Sequence, residues 1–484
     1  MKRHGLGLLL LLIGCGGVLH RVDQTPPPPV EPPSVWAGIG TATSTTPYDG
    51  QWWSTFGSPT IDGLVEEAFD RSPTLGQAFA RLRQAQAGVK TQRSGFFPTI
   101  TADATVNSNR NVSDPAAFGQ MGDPFSNTIT TTTLQASAQY EVDVWGRIAH
   151  AYRGARADFR ATEAEVESAA MTLAATVVDT YLQLAEQRAN FALVQEQLEV
   201  SETYLELVEF RFDQGVSSGL DVFQQRQQLA STRNLLPTAR QGIELLEHQL
   251  SVLLGQPPGQ GLPSVEALPD LPPMPEAGIP SAVLLQRPDV KAALERVVGA
   301  DHRVGSAIAA QLPALNLAAS VGTRGFPVSA LFEEYIRNLT AGLTGTLFAG
   351  GRLRAEVERN RGLLEEQLAA YAQVVLTALR ELEDALSVRR AAEALVASIE
   401  TELEAAVATL EEARLRYGNG LAEYLPVLEA LRAQQETQRR LLTARRQLLS
   451  AQVELHRALG GTWAADIENP SLADGGSDSE GSSS

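Results

Sequence analysis

The stretch that decides the fold is Leu134-Gln135-Ala136-Ser137-Ala138-Gln139-Tyr140-Glu141-Val142-Asp143-Val144-Trp145-Gly146-Arg147. Leu134, Ala136, Ala138, Tyr140 and Val142 alternate with polar residues, and a period of two means a strand with one apolar and one polar face. At Arg147 the pattern changes. The 67 residues to Asp213 hold no proline and a single glycine, Gly154. Val194, Leu198, Leu205, Val208 and Phe212 keep a 3–4 spacing, interrupted by Ser201, as a coiled-coil seam does. One helix over 147–213 would be roughly 100 Å long at 1.5 Å per residue. A helix of that length belongs to a rod or to the wall of a tube, not to the core of a globular enzyme.

The same order occurs twice. Pro73 pairs with Pro288, and Phe97-Pro98 with Leu312-Pro313, at an offset of 215 positions. Beyond them the offset is 205: Gly146-Arg147 matches Gly351-Arg352, Arg211-Phe212 matches Arg416-Tyr417, Gly215 matches Gly420, and Leu254-Gly255 matches Leu459-Gly460. Each half is therefore one structural unit. The first repeat, 51–255, is read as a short helix, strands 99–107 and 128–144, a long helix 147–213 and a return helix 219–254. The second, 281–465, is read as strands 314–322 and 338–348, a long helix 352–417 and a return helix 423–459. A linker at 256–280, with eight prolines, separates them.

The ends carry other signals. Lys2 and Arg3 precede an apolar run from Leu6 through Ile13, so 1–14 reads as a secretory signal, too short to span a bilayer as a helix. Leu12-Ile13-Gly14-Cys15 resembles a lipobox, which makes Cys15 the acylated N-terminus of the mature chain, with Gly16 rather than Asp behind it. Residues 15–50 are a proline-rich tether. Residues 466–484 are rich in Ser, Gly and acid and read as a disordered tail.

Among 484 residues, 57 acidic against 39 basic side chains give a net charge of −18. That balance argues against a broad nucleic-acid surface, which needs clustered Lys and Arg. One cysteine excludes a disulfide framework and a multi-cysteine metal site. The six histidines, His4, His20, His150, His248, His302 and His456, are scattered singly without metal-ligand spacing. No catalytic constellation stands out, and no Walker-type loop is present.

Secretion and a polar strand face carrying Asp103, Glu141 and Asp143 favour an apolar-out, polar-in transmembrane barrel over a half-buried soluble sheet. Four strands cannot close one, and an open edge in lipid leaves backbone groups unpaired at several kcal/mol each. The chain must pool strands with other copies. Two would give eight strands and a filled interior, three would give twelve and a channel.

At this point the sequence resembles the TolC family of outer-membrane efflux channels, and most of all its lipoprotein branch. The resemblance rests on the lipobox, Trp52-Trp53-Ser54-Thr55-Phe56-Gly57, Phe97-Pro98, and Trp145-Gly146-Arg147. It rests also on two turn motifs, Arg211-Phe212-Asp213-Gln214-Gly215 with Leu220-Asp221-Val222, and Arg416-Tyr417-Gly418-Asn419-Gly420. It implies an internally duplicated α+β membrane protein: a homotrimer with a twelve-stranded transmembrane β-barrel over a long α-helical periplasmic barrel, girdled by the N-terminal, middle and C-terminal segments. It further implies a passive exit duct for small molecules, without cofactor or resident metal, working with a periplasmic adaptor and an inner-membrane transporter of the RND type. A type I protein-secretion duct has the same architecture. A pore-less, lipid-anchored coiled-coil scaffold is the reading from another class, and the alternating strands argue against it.

The resemblance also assigns sites. Gln214, Gly215, Val216, Asn419, Gly420 and Leu421 fall on the adaptor-docking tips, where glycine in any case permits a tight turn between helices. Asp221 and Tyr417 fall on positions that latch neighbouring hairpins when the tip is closed, although Asp221 could simply cap the return helix. The family's further arginine partner falls on Ala422. Glu429 falls on an acidic ring at the tip constriction, where three carboxylates would favour cations. Pro426 stands where some members carry a second acid.

Overall fold

A computed structural model describes residues 20–22, 51–113, 125–259, 261, 267–275, 283–284, 286–325 and 331–460. Cys15, its signal, most of the 15–50 tether, the tail from 466 onward and part of the 256–280 linker lie outside the described residues. The chain divides into two compact units. The first combines Arg83–Thr162 and Ala293–Tyr371 with the described residues 20–22. The second combines the described parts of Pro28–Leu82, Glu163–Ala292 and Ala372–Ser484.

The elements follow the duplicated order. A 3₁₀ turn at Trp52–Phe56 leads to α1 (Pro59–Arg71), α2 (Pro73–Ser94), β1 (Thr99–Ser113), β2 (Phe125–Val142), α3 (Arg147–Asp213), α4 (Gly219–Arg233) and α5 (Leu235–Leu253). The second half holds α6 (Pro288–Ala309), β3 (Ala314–Gly325), β4 (Tyr335–Thr344), α7 (Arg352–Gly418) and α8 (Leu425–Leu459). Both long helices contain 67 residues. Gly146 and Gly351 open them at φ 78° and 86°, and Gly215 and Gly420 close them at φ 75° and 70°. These are left-handed conformations that a Cβ disfavours, so the repeat seen in the glycines is a repeat of backbone shape.

The first unit carries one antiparallel sheet in the order β1-β2-β3-β4. β1 and β2 run further than alternation predicted, to Ser113 and from Phe125. Beyond Val106 both faces are mostly polar, with Val112 and Ile129 isolated, so no hydrophobic period marks the pairing. The ladder continues through threonine, which suits a pleated strand, and through hydroxyl contacts such as Thr130 Oγ1 to Ser108 Oγ at 3.1 Å. β3 extends three residues past its expected end to Gly325. β4 occupies 335–344, not 338–348. Thr344 pairs with Ala314, and the residue before Ala314 is Pro313, which has no N–H to extend the ladder. β2 stops at Val142 because Asp143 turns away to cap α3.

The second unit is helical. Trp52, Trp53 and Phe56 are buried with Val177, Val178 and Tyr181 of α3 and Leu449 and Val453 of α8. Trp52 stacks on His456, ring centroids 5.2 Å apart. The return helix expected over 219–254 is two helices meeting at Asn234. Pro237 lies in the first turn of α5 and cannot donate to the carbonyl of Arg233, which ends the helical ladder there. In the second half the corresponding return, α8, is continuous, its Pro426 sitting in the first turn where no donor is needed.

Candidate functional site

The hairpin tips of the second unit are built alike. At the first, the Gly215 N–H donates to the Phe212 carbonyl at 2.8 Å and the Val216 N–H to the Arg211 carbonyl at 2.9 Å. At the second, Gly420 donates to Tyr417 at 3.1 Å and Leu421 to Arg416 at 2.8 Å. This is the paired bonding of a glycine-terminated helix. Gln214, Gly215, Val216, Asn419, Gly420 and Leu421 are all exposed. Val216 is 64% and Leu421 77% exposed, with Leu220 at 65% and Phe223 at 68% beside them. Large apolar side chains are thus held out from two ordered turns.

Asp221 and Tyr417 come close together but do not touch. Ser218 caps α4, its Oγ accepting from the Asp221 N–H at 3.2 Å, while Asp221 Oδ2 accepts from the Ser218 N–H at 3.0 Å. Asp221 is thus the third-position partner in a capping box. Ser217 bridges the two: its hydroxyl donates to Asp221 Oδ2 at 2.8 Å and lies 3.4 Å from the Tyr417 hydroxyl. Tyr417 is buried, its ring 5.4 Å from that of Tyr424. The guanidinium of Arg211 lies 4.5 Å from the Tyr417 centroid, a cation–π contact. Arg211 thus borders the Ser217–Tyr417 contact from the first hairpin. The turn motif named it, but its role depends on which helices meet and is not visible in sequence. Arg211, Arg414, Tyr204 and Tyr417 line a groove of about 510 Å³. Burial raises the phenol pKa of Tyr204. Tyr424 is raised by burial, then by Tyr204, Tyr417 and Asp221, so both phenols stay neutral.

Glu429 is exposed on α8, while Val427, Leu428, Ala430 and Leu431 around it are buried. Above it a seam of glutamines ties the hairpins together. Tyr424 donates to Gln225 Oε1 at 2.7 Å, Gln225 Nε2 to the Ser201 carbonyl at 2.7 Å, and Arg432 Nε to Gln228 Oε1 at 2.6 Å. Gln228 Nε2 reaches Gln435 Oε1 at 3.3 Å.

In the first unit the carboxylates expected on the polar strand face divide. Glu141 is bound by Arg147 through two bonds, of 2.9 and 2.7 Å. Asp143 accepts from the Ile148 and Ala149 N–H groups at 3.0 and 2.7 Å. Both therefore fix the start of α3; Asp143 lies outside the ladder, while Asp103, opposite Gln135, and Glu141, opposite Asn316, stay in it.

The apolar face ends along a slanted line. Its continuous apolar runs end at Val106, Leu134, Val321 and Leu339, followed on the same face by Ser108, Thr132, Thr323 and Arg337, with Val112 a single valine further along β1. Val106 pairs with Thr132, Leu134 with Thr323 and Val321 with Arg337, so the limit steps by two residues from each strand to the next. With about 3.3 Å per residue and 4.8 Å between strands, a flat bilayer limit corresponds to strands tilted by roughly 50°, a little steeper than the usual 35–45° of membrane barrels.

The histidines, scattered in sequence, are partly gathered. His150 Nδ1 and His302 Nδ1 are 3.1 Å apart and both rings are buried. His20 binds Asp301 at 2.5 Å, its ring 6.2 Å from that of His150. Burial lowers the pKa of His302 to about 4, with help from His150 and Arg153. Among the described residues no group of three His, Cys, Asp or Glu side chains is placed to hold a metal ion.

Comparison with known proteins agrees with this architecture. The family model described as outer membrane efflux protein matches residues 64–256 and 279–461, once for each repeat. The pyoverdine export outer membrane protein OpmQ of Pseudomonas aeruginosa is 32% identical over 469 residues, covering 96% of this chain and 98% of that one. The toluene efflux pump outer membrane protein TtgF of Pseudomonas putida is 28% identical over 482 residues, covering 96% and 98%. The solved outer-membrane channel OprN superposes with a TM-score of 0.83 at 27% identity, covering 91% of this chain and all of that chain.

Proposed function

The chain belongs to the outer membrane efflux protein family, and from that premise we propose that it is the passive exit duct of a tripartite efflux system. The observation that carries this reading is the four-stranded sheet whose outer strands, β1 and β4, each have one unpaired edge within the chain. Lipid cannot satisfy those edges. Three copies pair β4 of one with β1 of the next and close twelve strands around a lumen. The long helices continue the wall into the periplasm, and an acylated Cys15 adds a lipid anchor.

The chain contributes shape and gating while an inner-membrane transporter of the RND type supplies the energy. A periplasmic adaptor docks on Gln214, Gly215 and Val216 of one tip and on Asn419, Gly420 and Leu421 of the other. Asp221, Ser217 and Tyr417 hold the tip closed, and three copies of Glu429 ring its constriction. Relatives export pyoverdine or toluene by name, which supports small molecules as cargo. The test is the protein mass of the complex extracted from outer membranes, followed by bilayer recording. A mass of three chains with ion conductance is expected; a monomer without conductance refutes the duct.

A further inference from the structure

The apolar face of the sheet carries a groove that the transport path does not use. Two adjacent rows form its floor. Ala102 pairs with Ala136 and that with Val321, and Ala104 pairs with Leu134 and that with Thr323. Phe332 and Tyr335 wall it, and its volume is about 400 Å³. Alanines in the floor, with leucine and two aromatic rings around them, make the hollow.

Arg337 closes the Ala102 row, opposite Val321. It is exposed and forms no ion pair among the described residues. An arginine on the lipid side of a barrel costs roughly 2–4 kcal/mol at the bilayer midplane and about 0–1 near the interface. The slanted limit places Arg337 at the interface, one same-face position beyond Leu339. Arg110, the second arginine on this face, lies two same-face positions beyond Val106 and is 3.4 Å from Ser126 Oγ. In a chain of net charge −18, both arginines of this face stand just above the apolar limit. Tyr335 follows one same-face position further out, where an amphipathic ring suits the headgroup region. β1 and β3 start, and β2 and β4 finish, at the sheet end joined to helices. Arg337, Tyr335 and the groove's aromatic wall lie toward the opposite end. With the helices in the periplasm, that end faces the outer leaflet, whose phosphorylated lipid is a glycolipid.

We propose that this groove binds the lipid A part of lipopolysaccharide, with an acyl chain along the alanine floor and a phosphate on Arg337. A guanidinium matches phosphate with two parallel bonds, and the floor removes the chain from contact with mobile lipid. The assignment rests on the outer-membrane reading above, which fixes the leaflet.

The experiment uses purified trimer freed of endogenous lipid, titrated with bisphosphorylated lipid A and followed by native mass spectrometry. One tightly bound lipid A per chain is expected. Arg337→Gln should weaken it roughly tenfold or more, the loss of one charge-assisted pair, and Arg337→Lys should restore part of the loss. Ala136→Phe, which fills the floor and leaves the charge, should weaken it as well. Equal affinity of wild type, Arg337→Gln and Ala136→Phe would overturn the site. Phosphatidylglycerol binding as tightly as lipid A would overturn the glycolipid assignment. Trimer mass and conductance in phospholipid bilayers need no lipid A, so a failure of the duct reading shows itself separately.

Discussion

Glu429 is an exposed carboxylate in a run of buried apolar residues. Glu429→Gln should lower cation selectivity while keeping single-channel conductance, read as a smaller reversal potential in a salt gradient; an unchanged potential removes the ring assignment. His456 is the opposite case. Burial against Trp52 lowers its pKa to about 4, whereas an unfolded histidine titrates near 6.5. Between those values the unfolded chain binds a proton that the folded chain resists. The stability is therefore complete above about pH 6.5 and is lost as pH falls toward 4, by about 3 kcal/mol at most. His456→Phe should flatten the acid fall of the trimer melting temperature between pH 7 and 4.5. An identical slope would mean that other groups carry it, and His302, shifted in the same direction, is the first to test. Single residues were only partly legible in sequence. The exposed tip glycines and Glu429 lie in motifs, but Ser217 and Arg211 acquire their contacts to Tyr417 from hairpins some 200 positions apart in the chain.

At the scale of elements, Asp221 of the α4 capping box and the Tyr417 hydroxyl share Ser217, which makes the proposed tip latch one unit. Asp221→Ala removes both the box and the bridge, so it should lower stability by about 1 kcal/mol through the cap and raise leak through the closed tip. Tyr417→Phe leaves the box intact and should raise leak with little change in melting. Conductance equal to wild type in both variants would discard the latch. Elements with a strong period were legible: the first long helix has its predicted bounds, since nothing from Arg147 to Asp213 breaks the ladder. What was not legible followed weaker chemistry. Asn107–Ser113 and Ser126–Thr133 pair through mostly polar residues on both faces, and the β-branched run Ile129-Thr130-Thr131-Thr132-Thr133 is their clearest signal in the sequence. The break at Asn234 has its sequence signal in Pro237, whose missing N–H leaves the Arg233 carbonyl without a helical donor.

For the whole molecule, two attachments to the membrane are proposed, and they differ greatly in strength. An acyl chain contributes roughly 0.8 kcal/mol per buried CH₂. A closed barrel with apolar rows from Val142 to Val106 buries far more surface and exchanges unpaired edges for backbone bonds. Anchoring should then be secondary to the barrel. A chain carrying Cys15→Ser behind an ordinary cleavable signal should lose palmitate labelling yet still fractionate with the outer membrane as a trimer with unchanged conductance. Its assembly should be slower, because a tethered monomer searches a surface for its neighbours rather than a volume. Should the unacylated chain instead accumulate as a soluble periplasmic monomer, the lipid would be essential to closing the barrel, and assembly would have to begin at the anchor.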